Sequence, residues 1–331
     1  MNNTVEDSPM NSFAKAFLAG IPFARAAGMQ AEHMSQARGS VSMRADEAWT
    51  GHAAADQIHP GCLTVLADTA CGLAVGAAMN PIEPYATLDL RMDYLRPARA
   101  GLALRCDAHC HRLSRSVAFV RGEVFQAGSD EVVAAVNATF MLATANTRRQ
   151  DLPEGTRPAK AEGVHSSDTT RATTLASPIW QGTPVLATGQ SPYVDFLGIE
   201  RQISTDGQTG DVFRMPFKPE LVGNPVLPAL HGGVVAGFAE TAALLHLVFS
   251  NAAQTDLQAT QTQTQAQKSS APRGVDFAID YLRSAKPIDT FARCTTVRQG
   301  SRVALVQVTV WQDDPSRPIV SARSHCLMPR S

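Results

Sequence analysis

Two carboxylates stand where a folded chain would not place them without a reason. Asp68 lies nine residues after His59, and Glu240 nine residues after His231. Each sits inside a small, apolar run, Cys62 to Met79 in the first case and Val234 to Phe249 in the second. Burying an ionised carboxylate is costly unless a partner or a shifted pKa compensates. A single case reads as a capped group at a helix edge. Two cases at the same offset from a His-x-Gly turn, His59-Pro60-Gly61 and His231-Gly232-Gly233, point to chemistry. A helix start offers unpaired N–H groups and a positive dipole end, which suit a developing oxyanion, and glycine lets a ligand approach the backbone. The carboxylate two turns further on would act as base or nucleophile.

The elements that must position these groups follow from the pattern around them. Phe13 to Met29 reads as a short docking helix broken at Pro22, and Gln30 to Arg44 as a polar strand. Ala67, Ala70, Gly72, Ala74, Gly76 and Ala77 give the first apolar helix a small-residue surface suited to close packing on a sheet. Four strands follow, Ala86 to Leu95, Gly101 to Arg112, Ser116 to Gln126 and Glu131 to Thr144, with the short links of an antiparallel meander. Residues 145–189 dissolve into Thr, Ser, Pro, Arg and Asp, a linker pinned at Ile179-Trp180 and Val185-Leu186.

Then the order repeats. Pro192 to Glu200 and Asp211 to Phe217 read as opening strands, and the second helix runs from His231 to about Phe249. VDFAIDYLRSA, from Val275, matches LDLRMDYLRPA, from Leu88. Strands at Phe291 to Arg298, Arg302 to Gln312 and Ile319 to Met328 close the unit. From the histidine to the tyrosine of the matching strand is 35 residues in one copy and 50 in the other; the excess falls in a Gln/Thr/Ala-rich insertion, 251–273, which predicts a disordered loop. The expected division is 1–145, a linker 146–189, and 190–331.

Composition removes other classes. With 29 basic and 30 acidic side chains in 331 residues, no global field attracts nucleic acid or an anionic membrane. Six cysteines without a secreted framework spacing, a start without a basic n-region, and apolar runs judged too short to span a bilayer predict a cytoplasmic protein with no membrane association. Cys106, Cys110, His109 and His111 have metal-binding composition, but strand alternation puts the thiols and imidazoles on opposite faces, so no metal is expected. No nucleotide fingerprint or Gly-x-Ser-x-Gly elbow occurs.

HPGCLTVLAD and HGGVVAGFAE, followed by ATLDLRMDYLRPA and RGVDFAIDYLRSA, make each half resemble a hotdog-fold domain of the acyl-CoA thioesterase superfamily, in its phenylacetate-pathway-like branch. The resemblance implies an α+β fold of two tandem hotdog domains, each a bent antiparallel sheet wrapped around one long central helix. It implies an acyl-CoA substrate, no cofactor, and further assembly into a homo-oligomer. It also implies composite sites, in which the Gly-rich turn of one unit faces the acid-bearing helix of the other.

Applied residue by residue, the first site joins Gly232 N–H as oxyanion donor to Asp68, with Thr87 holding the water, Gly233 and His231 in the turn, and Thr64 and Cys71 along the pocket. Asn224 lies seven residues before His231, where the family often has an asparagine six before. The imidazole of His231 reads as a brace for the turn rather than a proton carrier. The second site joins His59 and Gly61 to Glu240 and lacks parts: Pro60 has no N–H to donate, and Gly274 stands where Thr87 stands. One live and one crippled site are expected, with nothing opposite Glu240. Arg115 and Arg302, in matching turns, are candidates for coenzyme A phosphates. Two alternatives stay open: a non-catalytic acyl-CoA binding or sensing protein, and a hotdog enoyl-CoA hydratase or dehydratase. The latter needs a paired Asp and His, of which Asp56, three residues before His59, is a poor imitation.

Overall fold

The computed structural model describes residues 9–52, 56–142, 180–203, 210–224, 228–258 and 271–329. In chain order the helices are α1 (Pro9–Gly20), α2 (Pro22–Ala26), α3 (Pro60–Ala78), α4 (Pro192–Leu197) and α5 (Gly232–Gln258). The first half contributes strands β1 (Gln30–Ser35), β2 (Arg38–Met43), β3 (Thr50–His52), β4 (Gln57–Ile58), β5 (Tyr85–Tyr94), β6 (Leu104–Leu113), β7 (Val117–Gln126) and β8 (Val132–Leu142). The second contributes β9 (Thr183–Pro184), β10 (Glu200–Gln202), β11 (Val212–Met215), β12 (Val222–Asn224), β13 (Ala229–Leu230), β14 (Arg273–Tyr281), β15 (Thr290–Gln299), β16 (Val303–Trp311) and β17 (Val320–Leu327).

Each half is one antiparallel sheet closed around one helix. α3 is buried at every position from Gly61 to Ala77 and packs on β2, β6 and β7; α5 packs on β15, β16 and β17. The small residues of α3 let the sheet approach the helix closely, and apolar alternation turns one face of every long strand inward: Leu90 and Met92 of β5, Phe277 and Ile279 of β14. The two sheets meet edge to edge, β5 against β14, with Asp93 opposite Asp276 and Asp89 opposite Asp280, so thirteen strands form one continuous sheet. On its inner side α3 and α5 pack against each other.

Several sequence expectations need correction. The meander holds only for three strands of each half. β5 pairs with β8 and β14 with β17, at the far side of the meander from its first strand, because each must also form the seam between halves. Gln30 to Arg44 is a hairpin turning at Ala37, which adopts φ 60°, rather than one strand. Pro192 to Leu197 is helix, not strand: Pro192 opens it and Gly198, at φ 68°, ends it in the left-handed conformation. Pro22 likewise opens α2 instead of only breaking α1. α5 runs nine residues past Phe249, to Gln258, so 251–258 of the expected disordered insertion is helical, while 259–270 lies outside the described residues. Most of the predicted linker, 146–179, lies outside them too. Its described end is anchored, with Trp180 hydrogen-bonded to Glu200 and Val185 buried. Finally, α3 and residues 232–250 are long and apolar enough to cross a membrane, contrary to the sequence reading. They are instead the core helices, 94% and 72% buried inside the protein.

Candidate active site

Asp68 occupies the first position where both halves contribute atoms. Its Oδ1 accepts from the Thr87 hydroxyl of β5 at 2.9 Å, and its Oδ2 from the Gly233 N–H at the start of α5 at 2.6 Å. Gly233 is required by distance: a Cβ there would fall 2.7 Å from the Val65 Cα of α3, so any side chain would push the two helices apart. A Cβ on Gly232 would fall 3.1 Å from Asp68 Oδ2 and 3.4 Å from Thr87 Oγ1, so only a glycine lets the start of α5 approach the carboxylate and its hydroxyl partner this closely. Gly232 N–H, at the first position of α5, is among those a helix leaves without an internal acceptor. Tyr281 holds the turn from behind, its hydroxyl donating to the Gly232 carbonyl at 2.7 Å.

His231 is a brace. Its Nδ1 accepts from Gly233 N–H at 3.1 Å, and its Nε2 lies 3.2 Å from Thr69 Oγ1. Burial depresses its pKa, with the nearby Asp68 pulling the other way. A neutral ring with Nδ1 as acceptor and Nε2–H as donor satisfies both contacts. The 3.4 Å approach of Nδ1 to Asp68 Oδ2 is then two acceptors sharing one N–H, not an ion pair.

The second position is built on the same plan and closed. His59 Nδ1 accepts from Gly61 N–H at 3.0 Å, and burial drives its pKa down to about 3. Pro60 stands at the first helical position of α3, where no N–H exists. Contrary to expectation, something does stand opposite Glu240. Thr64 donates to its Oε2 at 3.0 Å and lies 2.7 Å from the Tyr94 hydroxyl, so Thr64 belongs to this position and not to the Asp68 pocket. Gly274 offers no hydroxyl; a Cβ there would meet the Tyr94 ring at 3.4 Å and Glu240 Oε1 at 3.6 Å. Glu240 is fully buried, Oε1 has no partner among the described residues, and burial raises its pKa to about 7, with the nearby Tyr94 hydroxyl and the Thr64 bond pulling the other way.

Helices α2 and α4 explain the seal. Pro22-Phe23 with Gly28 and Pro192-Tyr193 with Gly198 are a second repeat, and each short helix covers the other half's turn: α2 packs on β12 and on the turn at Pro219–Leu221, α4 on β3 and on the turn at Glu47–Trp49. Phe23 lies against His231, ring centroids 5.7 Å apart, and Tyr193 stacks on His59 at 4.6 Å. The Tyr193 hydroxyl reaches between Gly61 and Gly237, close enough that a Cβ would fall 2.9 Å from it at the first and 2.4 Å at the second. This repeat, and Tyr94 and Tyr281 in the matching DYLR segments, are visible in the sequence, but strand alternation alone gives neither tyrosine a role.

The remaining expected residues divide. Cys71 is fully buried, with Cys106, Asp68 and Cys110 close enough to raise its pKa beyond the effect of burial. Asn224 ends β12, and its side chain lies outside the described residues. Arg115 and Arg302 are exposed in the β6–β7 and β15–β16 turns. Register puts the Arg115 turn at the Thr87 end of the sheet, since Thr87 pairs with Phe140 and Phe140 with Ala118. Asp56 is exposed, at φ 49°, in the turn before β4.

Comparison with known proteins agrees with this duplicated architecture. A thioesterase superfamily model matches residues 57–133 and 227–319, one segment in each half, and the chain belongs to that superfamily. The medium/long-chain acyl-CoA thioesterase YigI of Salmonella typhimurium is 29% identical over 140 residues, covering 38% of this chain and 88% of its own length. Among solved structures, the tesB protein of Mycobacterium avium subsp. paratuberculosis aligns over 96% of this chain and 99% of its own, at 12% identity and a TM-score of 0.56. A hot-dog-fold protein of Alicyclobacillus acidocaldarius covers 89% of this chain and 94% of its own, at 13% identity and a TM-score of 0.55. The fold is a double hotdog, and the chain is a thioester hydrolase.

Proposed function

We propose that the chain hydrolyses acyl-CoA thioesters to a free acid and coenzyme A at one composite site per chain, with Asp68 as base or nucleophile and Gly232 N–H as oxyanion donor. The observation that carries this is the suspension of Asp68, an acid of the first half, between Thr87 of its own half and Gly233 N–H of the other. Those two bonds fix both carboxylate oxygens and leave each a further lone pair. Thr87, whose O–H donates its hydrogen bond to Asp68, keeps its own lone pairs to orient a water molecule. That water loses a proton to Asp68 as it attacks the thioester carbon; in the other route Asp68 attacks directly and water cleaves the resulting anhydride. In either route the carbonyl oxygen gains charge beside Gly232 N–H and the positive end of α5. Collapse of the first tetrahedral intermediate expels the coenzyme A thiolate, which takes back the proton Asp68 removed from water in the first route and a solvent proton in the second. His231, with Nδ1 committed to Gly233, holds the turn rather than the proton.

The second position lacks an oxyanion donor at Pro60 and a hydroxyl at Gly274, and it is filled by Tyr193; these support its inactivity. Thiol release from a panel of acyl-CoAs tests both statements. Asp68→Asn abolishes turnover and Glu240→Gln leaves it near the parent rate; the reverse result inverts the assignment. Binding of the esters without thiol release by the parent protein would mark a carrier or sensor.

A further inference from the structure

We infer that Tyr85 closes the acyl end of the Asp68 site and restricts it to short, compact acyl groups; this rests on the thioesterase reading of that site. Three residues of β5 meet α3 in succession. Tyr94 lies by Thr64, Thr87 by Asp68, and Tyr85 by Gly72 and Gly76. α5 crosses α3 in the opposite sense: Gly237 meets it at Gly61, and Gly233 at Val65 and Asp68. α5 therefore begins at the level of Asp68, and α3 runs on for more than two turns without it. The first N–H groups of a helix point back along its axis. An oxyanion on Gly232 N–H thus lies off the end of α5, toward the Gly72–Gly76 stretch of α3.

Tyr85 occupies that stretch. A Cβ on Gly72 would touch its ring at 3.7 Å, and one on Gly76 its hydroxyl at 3.4 Å. The hydroxyl donates to the Gly72 carbonyl at 2.7 Å, and the ring meets Phe140 edge-on, centroids 5.9 Å apart. Of the two arms of the substrate, coenzyme A is long, charged and needs solvent, so the arm turned toward this half-buried aromatic wall, packed against the core, is the acyl group. The second half shows what the glycines are for. Leu244 and Val248 stand at the places of Gly72 and Gly76, and Pro272 at that of Tyr85, so the second helix carries side chains where the first has none. In the first half the space is made by glycines and stopped by one ring.

The test is the chain-length profile of kcat/KM over straight-chain acyl-CoAs from acetyl to palmitoyl, for the parent protein, Tyr85→Phe and Tyr85→Ala, with circular dichroism and thermal melting to check folding. The parent and Tyr85→Phe favour the short esters. Tyr85→Ala moves the optimum to longer chains, raising the long-to-short ratio by about tenfold or more. Should Tyr85→Ala unfold, Tyr85→Leu shortens the wall and gives a smaller shift in the same direction. A uniform loss across all chain lengths, or a parent enzyme that already prefers palmitoyl-CoA, overturns the inference and leaves the thioesterase reading intact. A parent enzyme that cleaves none of the esters removes that reading, and this inference with it.

Discussion

The two halves of this chain hold the same parts list in two states. At Asp68 the carboxylate receives one bond from each half and faces a glycine with no side chain to crowd it. At Glu240 the carboxylate is answered by Thr64, with Tyr94 beside it, while Pro60 removes the donor and Tyr193 fills the turn. A duplicated fold needs both helices and both turns to bury its core, so the framework persists in both copies. Chemistry needs a donor, a hydroxyl and an open space as well, and those can be lost from one copy without unfolding it. The difference teaches that the histidine-glycine turn is scaffold first: both histidines accept from the second residue after them, and both are held neutral by burial.

The comparison breaks most sharply at the carboxylates. Asp68→Asn lowers kcat by about 10³-fold or more, the upper range of a general base's contribution, whereas Glu240→Gln changes it less than about twofold on the same scale; steady-state thiol release measures both. Thr87→Val comes next. Removing a hydrogen bond to a charged group costs about 1.5–3 kcal/mol, so kcat/KM falls about 10- to 100-fold, while Gly274→Thr in the other half restores no turnover because Tyr193 still fills that turn. Gly233→Ala forces α5 from α3 and costs about 1–3 kcal/mol of stability by overpacking, read from denaturant midpoints.

Glu240 gives the comparison a pH axis. Its folded pKa, about 7, lies above the ordinary 4.5, so the folded state holds a proton that the unfolded chain releases earlier. Stability from this group is therefore fully present below about pH 4.5 and is lost as pH rises to about 7, by on the order of 3 kcal/mol in all. Glu240→Gln removes that slope, and urea titrations at pH 5 and pH 8 show it as a gain in relative stability at the higher pH. A variant as pH-sensitive as the parent would show that Glu240 is paired in solution.

Much of this was legible in the sequence because duplication doubles weak signals. The His-x-Gly turns, the acids at equal offset and the DYLR strands pointed to the fold, the helix and Thr87 beside Asp68; that Gly233 bonds the carboxylate is seen only in the structure. What failed had physical causes. Pro192 to Leu197 alternates enough to imitate a strand, yet proline at the start and glycine at the end favour one helical turn, visible only when set beside Pro22 to Gly28. The partners of Glu240 are hidden in the sequence because Thr64 lies four residues from Asp68 on the same helix, and only the crossing of α3 and α5 delivers it to the other acid. The pairing of β5 with β8 and β14 is a property of the seam, which no single half encodes.

The proposed arrangement is one competent site per chain, assembled from both halves. Calorimetric titration with a thioether analogue of a short acyl-CoA, which binds but cannot be hydrolysed, counts it directly. The predicted stoichiometry is one analogue per chain, lost in a variant whose Gly232 carries a bulky side chain and kept in Glu240→Gln. Two analogues per chain, or binding that survives at Gly232 and disappears with Glu240, would contradict it.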